Sequence, residues 1–222
     1  MQKNHAITRV WDLPTRIFHW ALAFSVICLL ISGFAGGDFM PWHYRFGYCV
    51  LTLLLFRLIW GVVGGKWSRF TSFLYTPSSI ILYLKGHGDP LHSVGHNPLG
   101  AFSVFAMLAL LLTQVGTGLI TDDEISAAGP LTKFVSNATV ALASGYHVTL
   151  GKIFVIVLIV THIGAILFYF YKKRENLVKP MLHGDKLLPI STPASADTAG
   201  TRALAAVILM GCSAAVYWLV NL

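Results

Sequence analysis

Charged residues are scarce in this 222-residue chain and make up 11% of it, whereas hydrophobic residues make up 55%. Such a composition is too apolar for a soluble domain and indicates an integral membrane protein. The three cysteines, Cys28, Cys49 and Cys212, lie far apart within apolar runs, which argues against a disulfide framework or a zinc site. The C-x-x-C-H motif that attaches a haem covalently does not occur.

Five apolar runs are long enough to cross a bilayer as helices, at about 1.5 Å of rise per residue. They cover residues 17–35, 42–64, 99–120, 147–171 and 203–220. The first run is too long for a signal peptide and has no A-x-A cleavage site, so we expect it to be retained. Two shorter helices are predicted between the spans: an interfacial helix beginning near Pro77 and a surface helix over Leu131–Ala143.

The formal net charge of +7 reflects membrane topology and not a nucleic-acid partner, because the basic residues flank the apolar runs. Three segments carry most of them: Lys3, Arg9 and Arg16 in the first, Lys66, Arg69 and Lys85 in the loop 66–98, and Lys172, Lys173, Arg174, Lys179, Lys186 and Arg202 in the linker 172–202. The opposite loops hold only Lys133, together with the acidic residues Asp122, Asp123 and Glu124. The positive-inside rule predicts a bacterial inner membrane protein with a cytoplasmic amino terminus and a periplasmic carboxyl terminus.

Four histidines lie in the spans at two depths. His19 and His162 are predicted near the cytoplasmic side, whereas His43 and His147 are predicted at the outer ends of their spans. His147 and His162 are separated by about 22 Å along one helix and by about 60° around it. Ionisable side chains at membrane depth usually mark function, although a single histidine can also serve as a hydrogen-bond donor between helices.

Each pair of imidazoles matches the ligand set of a low-spin b-type haem, with both axial positions filled. Copper or iron bound by two histidines alone would be under-coordinated, and a proton relay would recruit Asp or Glu, which the spans lack. Small residues such as Gly116 and Gly118 in the third span leave room for close helix contact. We therefore predict an inner haem held by His19 and His162 and an outer haem held by His43 and His147.

Basic side chains near these depths are candidates to neutralise haem propionates. Arg57 lies about 21 Å along its helix from His43, which places it level with the inner haem. Arg16 and Arg69 are further candidates at the inner surface, and Arg45 and Lys152 at the outer one. For all of them except the deeper Arg57, snorkelling to lipid phosphate is an equally good explanation.

The remaining histidines lie in predicted loops, where a solvated or interfacial side chain is usual. They are His5, His87, His92, His96 and His183. The loop 87–98, with His92, His96 and Asn97, can also offer hydrogen bonds to a quinone carbonyl, although an ordinary loop explains these residues as well.

The chain resembles the bacterial cytochrome b561 family, which includes the cytochrome b subunits of membrane-bound nickel-iron hydrogenases. The motifs that carry the resemblance are VWDLPTRIFHW, HYRFGYCVLTLLLFRLIWG and GHNPLGAFSVFAMLALLLTQVGTGL, together with the two histidines of the fourth span. The similarity covers residues 9–180. It implies a four-helix core that binds two b haems through the four histidines and links a quinone pool to a redox partner.

The predicted fold is an all-α integral membrane protein with a four-helix transmembrane dihaem core and a fifth transmembrane helix, which is a departure from short family members. The predicted domains are a dihaem cytochrome b domain at 1–180, a basic and polar linker at 181–202 and the fifth helix at 203–222. Small residues in that helix suit contact with a partner subunit or with a second copy of the chain in a homo-oligomer.

The predicted function is electron transfer between the quinone pool and a periplasmic redox protein such as a c-type cytochrome. The sequence contains no nucleotide motif and no cluster motif, so the chain is expected to be the electron-transfer subunit of a quinone-linked oxidoreductase. Three alternatives remain open: the cytochrome b anchor subunit of a nickel-iron hydrogenase, a superoxide-oxidising quinone reductase, and a non-redox membrane anchor or haem transporter.

Overall fold

The computed structural model describes residues 6–123, 128–188 and 192–222, and these residues are mostly helical. In chain order the helices are α1 (Leu13–Ala35), α2 (Met40–Val63), α3 (Pro77–Leu84), α4 (Pro98–Gly118), α5 (Asn137–Gly145), α6 (Lys152–Tyr171), α7 (Val178–His183) and α8 (Ala199–Val220). Two strands, β1 (Ala6–Arg9) and β2 (Asp185–Leu188), form an antiparallel pair. Short 3₁₀ turns occupy Gly37–Phe39, Phe70–Ser72, Pro90–Ser93 and Thr132–Phe134.

Five helical segments are long and apolar enough to cross a membrane, which agrees with the predicted all-α membrane fold. They are Leu13–Ala35, Gly37–Val63, Pro98–Gly118, Asn137–Tyr171 and Ala199–Val220. Large apolar side chains along them are exposed, for example Phe24, Ile31 and Val160. Exposed apolar side chains on such helices are suited to contact with lipid. The protein is therefore a multi-pass membrane protein.

The helix predicted to begin near Pro77 is confirmed as α3, but the helical segment of the fourth span begins earlier than the sequence predicted. The Ser136 side chain accepts a hydrogen bond from the Thr139 backbone at 3.2 Å and so caps α5 at Asn137. Gly145 keeps helical backbone angles, and the chain continues through a π-helical turn, Tyr146–Gly151, into α6. The predicted separate surface helix is thus the first part of the fourth span.

The chain forms two compact units. Unit one consists of the residues up to His19 together with Arg57–Ala106 and His162–Ile208, and unit two consists of Trp20–Phe56, Met107–Thr161 and Leu209–Leu222. A buried apolar cluster lies in unit one and is formed by Val10, Trp11, Trp67, Val94 and Leu188.

A fully buried carboxylate, that of Asp12, organises the backbone in unit one. Asp12 accepts hydrogen bonds from the Thr15 backbone at 2.8 Å and from the Ser68 hydroxyl at 2.6 Å. The Trp60 indole and the Gly65 backbone donate to it at 3.2 Å each. Four donors replace the water that the carboxylate loses on burial, and they join the start of α1 to the segment that follows α2.

The predicted linker, 181–202, is anchored to unit one where the structure describes it. β2 pairs with β1, and the Ser195 hydroxyl donates to the Val10 carbonyl at 2.7 Å. Asp197, whose side chain is 5% exposed, forms ion pairs with Arg9 at 2.7 Å and with Arg202 at 2.8 Å. These contacts connect the amino-terminal strand to the start of α8.

Candidate functional site

In unit two, the imidazoles of His43 and His147 face each other. Their ring centroids are 6.1 Å apart, and the ring planes make an angle of 88°. Two imidazoles that bind one metal ion from opposite sides have ring centroids about 6 Å apart. Each metal–nitrogen bond is about 2 Å long, and each ring centre lies roughly 1 Å beyond its nitrogen. The separation therefore fits a shared metal ion between the two rings.

Backbone carbonyls fix the tautomer of both histidines. His43 Nδ1 donates to the Leu29 carbonyl at 3.1 Å, and His147 Nδ1 donates to the Gln114 carbonyl at 2.9 Å. Because a carbonyl oxygen can only accept, each Nδ1 carries the proton, and each Nε2 keeps its lone pair for a metal. Histidine ligands of metals commonly show this arrangement.

A cavity of about 400 Å³ opens beside these two imidazoles. This volume lies within the usual range for ligand and cofactor pockets, roughly 300–1,000 Å³. Two glycines make space for the rings themselves: a Cβ at Gly33 would lie 3.1 Å from His43 Cε1, and a Cβ at Gly118 would lie 2.8 Å from His147 Cε1. The residues present therefore fit a largely apolar group such as a haem, which His43 and His147 would hold.

Lys152, Tyr44 and Asp123 also line this cavity. The Lys152 ammonium lies 5.2 Å from the centroid of the Phe34 ring. Arg45, by contrast, is exposed, with its guanidinium 4.9 Å from the centroid of the Trp42 ring. Of the two outer cations named from the sequence, the structure thus brings Lys152 to the cavity. Glu124, the third member of the acidic group, lies outside the described residues.

In unit one, His19 and His162 form the second facing pair. Their ring centroids are 6.4 Å apart, with an angle of 50° between the planes. This separation also fits two axial bonds to one metal ion. Within the described part of the chain, no group of three or more His, Cys, Asp and Glu side chains converges on a metal position.

Arg57 is 3% exposed and belongs to unit one, as does the His19 and His162 pair. Its guanidinium lies 4.6 Å from the centroid of the Phe70 ring, and among the described residues its Nη1 has no hydrogen-bond partner. A buried cationic donor without a partner is costly unless an anion meets it, so this nitrogen fits a carboxylate group.

The other two inner candidates have surroundings that differ from those of Arg57. Arg16 Nη1 donates to the Leu182 carbonyl at 2.7 Å, and its Nη2 lies 3.8 Å from the Asp197 carboxylate. Arg69 has an exposed side chain. A propionate contact for either residue stays a prediction.

His96 differs from the solvated loop histidine that the sequence suggested. Its ring packs between Trp11 and Phe73, with centroid distances of 4.7 and 4.5 Å. Burial and, to a lesser extent, the charge of Arg57 lower the pKa of His96 to about 3. The imidazole is therefore neutral at physiological pH. The sequence placed it in a polar loop because its two aromatic neighbours are distant along the chain.

The remaining loop histidines divide into three cases. His87 and His183 are exposed, as expected for loops. His92 packs its ring against Tyr75 at a centroid distance of 4.7 Å. His5 lies outside the described residues.

Sequence reasoning found the four histidines but missed the groups that hold them. Leu29 and Gln114 act through backbone carbonyls, which every residue possesses, so no residue type signals them. Gly33 was also missed, although a glycine within an apolar span is a signal of close approach.

Five apolar membrane-spanning helices and two facing imidazole pairs define the class of a membrane-bound b-type cytochrome. The family model described as Prokaryotic cytochrome b561 matches residues 10–184, and the chain belongs to this family. This confirms the resemblance seen in the sequence. Haem b is accordingly its cofactor.

Curated relatives are similar over most of the chain. A protein of Cupriavidus necator is 24% identical over 216 residues, covering 82% of this chain and 88% of the relative. One of Rhizobium leguminosarum bv. viciae is 25% identical over 215 residues, covering 80% and 88%. Each of these relatives is called a probable Ni/Fe-hydrogenase B-type cytochrome subunit. An Escherichia coli K12 protein, called a probable Ni/Fe-hydrogenase 1 B-type cytochrome subunit, is 24% identical over 143 residues, covering 53% and 61%.

Proposed function

We propose that this cytochrome binds two b haems and relays electrons between the quinone pool and a redox partner. One haem is held by His43 and His147 and the other by His19 and His162. The observation that carries this proposal is the pair of ring separations, 6.1 and 6.4 Å, each of which suits two axial bonds to one iron. A b haem with two histidine ligands supplies one-electron transfer without an open coordination position.

The protein's part is to hold the ligands and to supply charge. The carbonyls of Leu29 and Gln114 keep each Nδ1 protonated, which directs Nε2 to the metal. Lys152 at the outer cavity and Arg57 in unit one supply positive charge toward haem carboxylates. In this proposal, neither Lys152 nor Arg57 takes part in a chemical step.

For the quinone, a hydrogen-bonded polar group in unit one supports a site in the region predicted from the sequence. Asn97 Nδ2 donates to the Tyr169 hydroxyl at 2.7 Å, and the Tyr83 hydroxyl lies 3.0 Å from the same oxygen. Tyr169 follows His162 by about two helical turns, on the same face of α6. Amide and phenol groups can exchange hydrogen bonds with quinone carbonyls and quinol hydroxyls.

The test is reduction of the purified cytochrome by a water-soluble quinol, followed by visible absorbance. We expect the wild-type protein to show reduced b-type absorbance, His19→Ala to lose one of two haem signals, and His43→Ala to lose the other. Absence of any reduction by quinol in a fully haem-loaded protein contradicts the quinone link. It would favour the non-redox anchor or haem-transport alternative.

The names of the relatives favour a nickel-iron hydrogenase as the redox partner, whereas the sequence alone favours a periplasmic c-type cytochrome. The cavity lined by Asp123 offers acidic charge that can steer a basic partner surface in either case. Co-purification of the tagged chain from its native membrane, with a hydrogen-dependent haem reduction assay, discriminates between the two. Hydrogen-dependent reduction supports the hydrogenase, and reduction only through a c-type cytochrome supports the periplasmic carrier.

The proposal also includes the membrane in which the protein lies and the side of that membrane on which each terminus is found. The basic loops favour a bacterial inner membrane with a cytoplasmic amino terminus and a periplasmic carboxyl terminus. Reporter fusions at the two ends measure this directly. A superoxide-oxidising activity is the remaining alternative, and superoxide-dependent quinone reduction by the purified protein would support it.

A further inference from the structure

The helix that carries His147 is irregular at the position of the ligand. Residues Tyr146–Gly151 form the π-helical turn between α5 and α6. π turns are rare, occur frequently at functional sites, and shift the direction of the side chains they carry. Because a π turn is less favourable than a regular α-helical turn, contacts from outside the helix can help to stabilise it.

Gln114 of α4 makes two such contacts with His147. The imidazole Nδ1 donates to the Gln114 carbonyl at 2.9 Å, and the Gln114 side-chain Nε2 donates to the His147 carbonyl at 3.0 Å. A backbone carbonyl can only accept, so the amide must present its nitrogen to His147. Thr117 Oγ1 lies 3.5 Å from the same Nδ1, which makes it a weak partner at most.

The packing around Gln114 leaves its amide little freedom. A Cβ at Gly151 would overlap Gln114 Oε1 and would lie 2.8 Å from Tyr146 Cε1, so a larger residue there would displace the amide, the tyrosine ring or both. At Gly145, which precedes the turn, an added Cβ would meet nothing within 4 Å, so this position tolerates alanine sterically. The close fit therefore lies at the end of the π turn and not at the residue that precedes it.

The two outer ligands are held differently. His43 bonds to the Leu29 carbonyl at 3.1 Å and to the Ser32 hydroxyl at 3.3 Å within regular helices. His147 lies in the π turn, and its backbone carbonyl is bound by the Gln114 side chain. A side-chain substitution at 114 is thus expected to act on one ligand of the pair.

We propose that the Gln114 side chain is a positioning residue for the outer haem, which holds the π turn so that His147 Nε2 reaches the iron. This proposal rests on the proposed function, because it takes His43 and His147 as the axial ligands. Partners that orient a metal-bound histidine change metal affinity by roughly 10- to 100-fold when they are removed. Loss of the Gln114 amide should therefore loosen the outer haem.

The test uses the His19→Ala background, in which only the outer haem remains. Gln114→Met keeps the side-chain length but removes the donor, and Gly151→Ala displaces the amide while the glutamine is retained. The matched controls are Thr113→Val, at the neighbouring exposed position of α4, and Gly145→Ala, at the edge of the same turn. The measurements are the rate of haem transfer to apomyoglobin and the low-spin electron paramagnetic resonance spectrum.

We expect Gln114→Met and Gly151→Ala to release the outer haem at least about tenfold faster than the controls and to shift its resonance spectrum. In the wild-type background, one retained inner haem per chain shows that each variant has folded. Unchanged release and an unchanged spectrum in Gln114→Met overturn this proposal alone. A His19→Ala protein that binds no haem contradicts the proposed function, and this proposal with it.

Discussion

At the scale of single residues, glycines lie close to the rings of the facing pair His43 and His147. A Cβ at Gly118 would lie 2.8 Å from His147 Cε1, whereas a Cβ at Gly116, half a turn away on α4, meets nothing within 4 Å. Contacts as short as the first force either the ring or the helix to move.

Gly118→Ala is therefore predicted to reduce outer-haem occupancy, and Gly116→Ala is predicted to leave it unchanged. The measurement is haem content by pyridine haemochrome for both variants, purified in parallel. Equal haem content in the two proteins would show that the ring does not need the space at Gly118.

Asp12 connects separate backbone segments of unit one through the hydrogen bonds that its carboxylate accepts. Removing its carboxylate leaves four donors without their acceptor, two of them on the Trp60 indole and the Gly65 backbone. Unsatisfied buried donors cost about 1–3 kcal/mol each when no water replaces the acceptor. Their costs are not additive, and the net loss is set by how well the site relaxes.

We predict that Asp12→Ala lowers stability by about 3 kcal/mol, which corresponds to a decrease in Tm of roughly 10 °C. Thermal denaturation in detergent, followed by circular dichroism, measures the change. Asp38→Ala, at an exposed position, is the control. A Tm for Asp12→Ala within about 2 °C of that control would show that the network is not required for stability.

At the scale of elements, ion pairs of Asp197 connect the segment before α8 to the amino-terminal strand β1. Ion pairing with Arg202, and further hydrogen bonds from the Leu13 backbone and Arg9, lower the pKa of Asp197 to about 2 from its ordinary value of 3.8. A carboxylate whose pKa is lower in the folded state stabilises the protein above its unfolded-state pKa. That contribution is lost as the pH falls toward the folded-state pKa.

The wild-type protein should therefore lose stability between about pH 4 and pH 2 in part through Asp197. Asp197→Asn should be less stable at neutral pH and should show a weaker pH dependence in that range. Tm measured in detergent across the pH series tests this. Because Arg9 and Arg202 are partly exposed, high salt should reduce the difference between the two proteins.

Elements with a strong periodic or compositional signal could be predicted from the sequence, and those fixed by distant contacts could not. The spans followed from long apolar runs, and the two facing histidine pairs followed from the depth of the four histidines. The pairing of β1 with β2 joins Ala6 to Leu188, and strands of four residues carry little local signal. The π turn contacts Gln114 of α4, which is distant along the chain, and no pattern between Tyr146 and Gly151 predicts the turn.

At the scale of the whole molecule, the fifth span is an addition to the four spans that carry or flank the ligands. Helix α8 contains Gly211, Ser213, Ala214 and Ala215, small residues that allow close helix contact. Its start is attached to unit one through Asp197 and Arg202. The four histidines of the two facing pairs all precede it.

Deletion of residues 200–222 is therefore predicted to leave both haems bound. Co-purification with the redox partner and the oligomer size, measured by light scattering in detergent, then define the role of α8. If the partner no longer co-purifies or the oligomer becomes smaller, while two haems are retained, α8 is an assembly element. If both are unchanged, the helix serves only as an additional helix of this chain.

The central claim is that one chain holds two b haems. The most direct measurement is the molar ratio of haem to protein in the purified wild-type chain, from the pyridine haemochrome spectrum and quantitative amino-acid analysis. The two facing imidazole pairs predict a ratio of two. A ratio of one or less in a folded, monodisperse preparation supplied with excess haem during expression would contradict the claim.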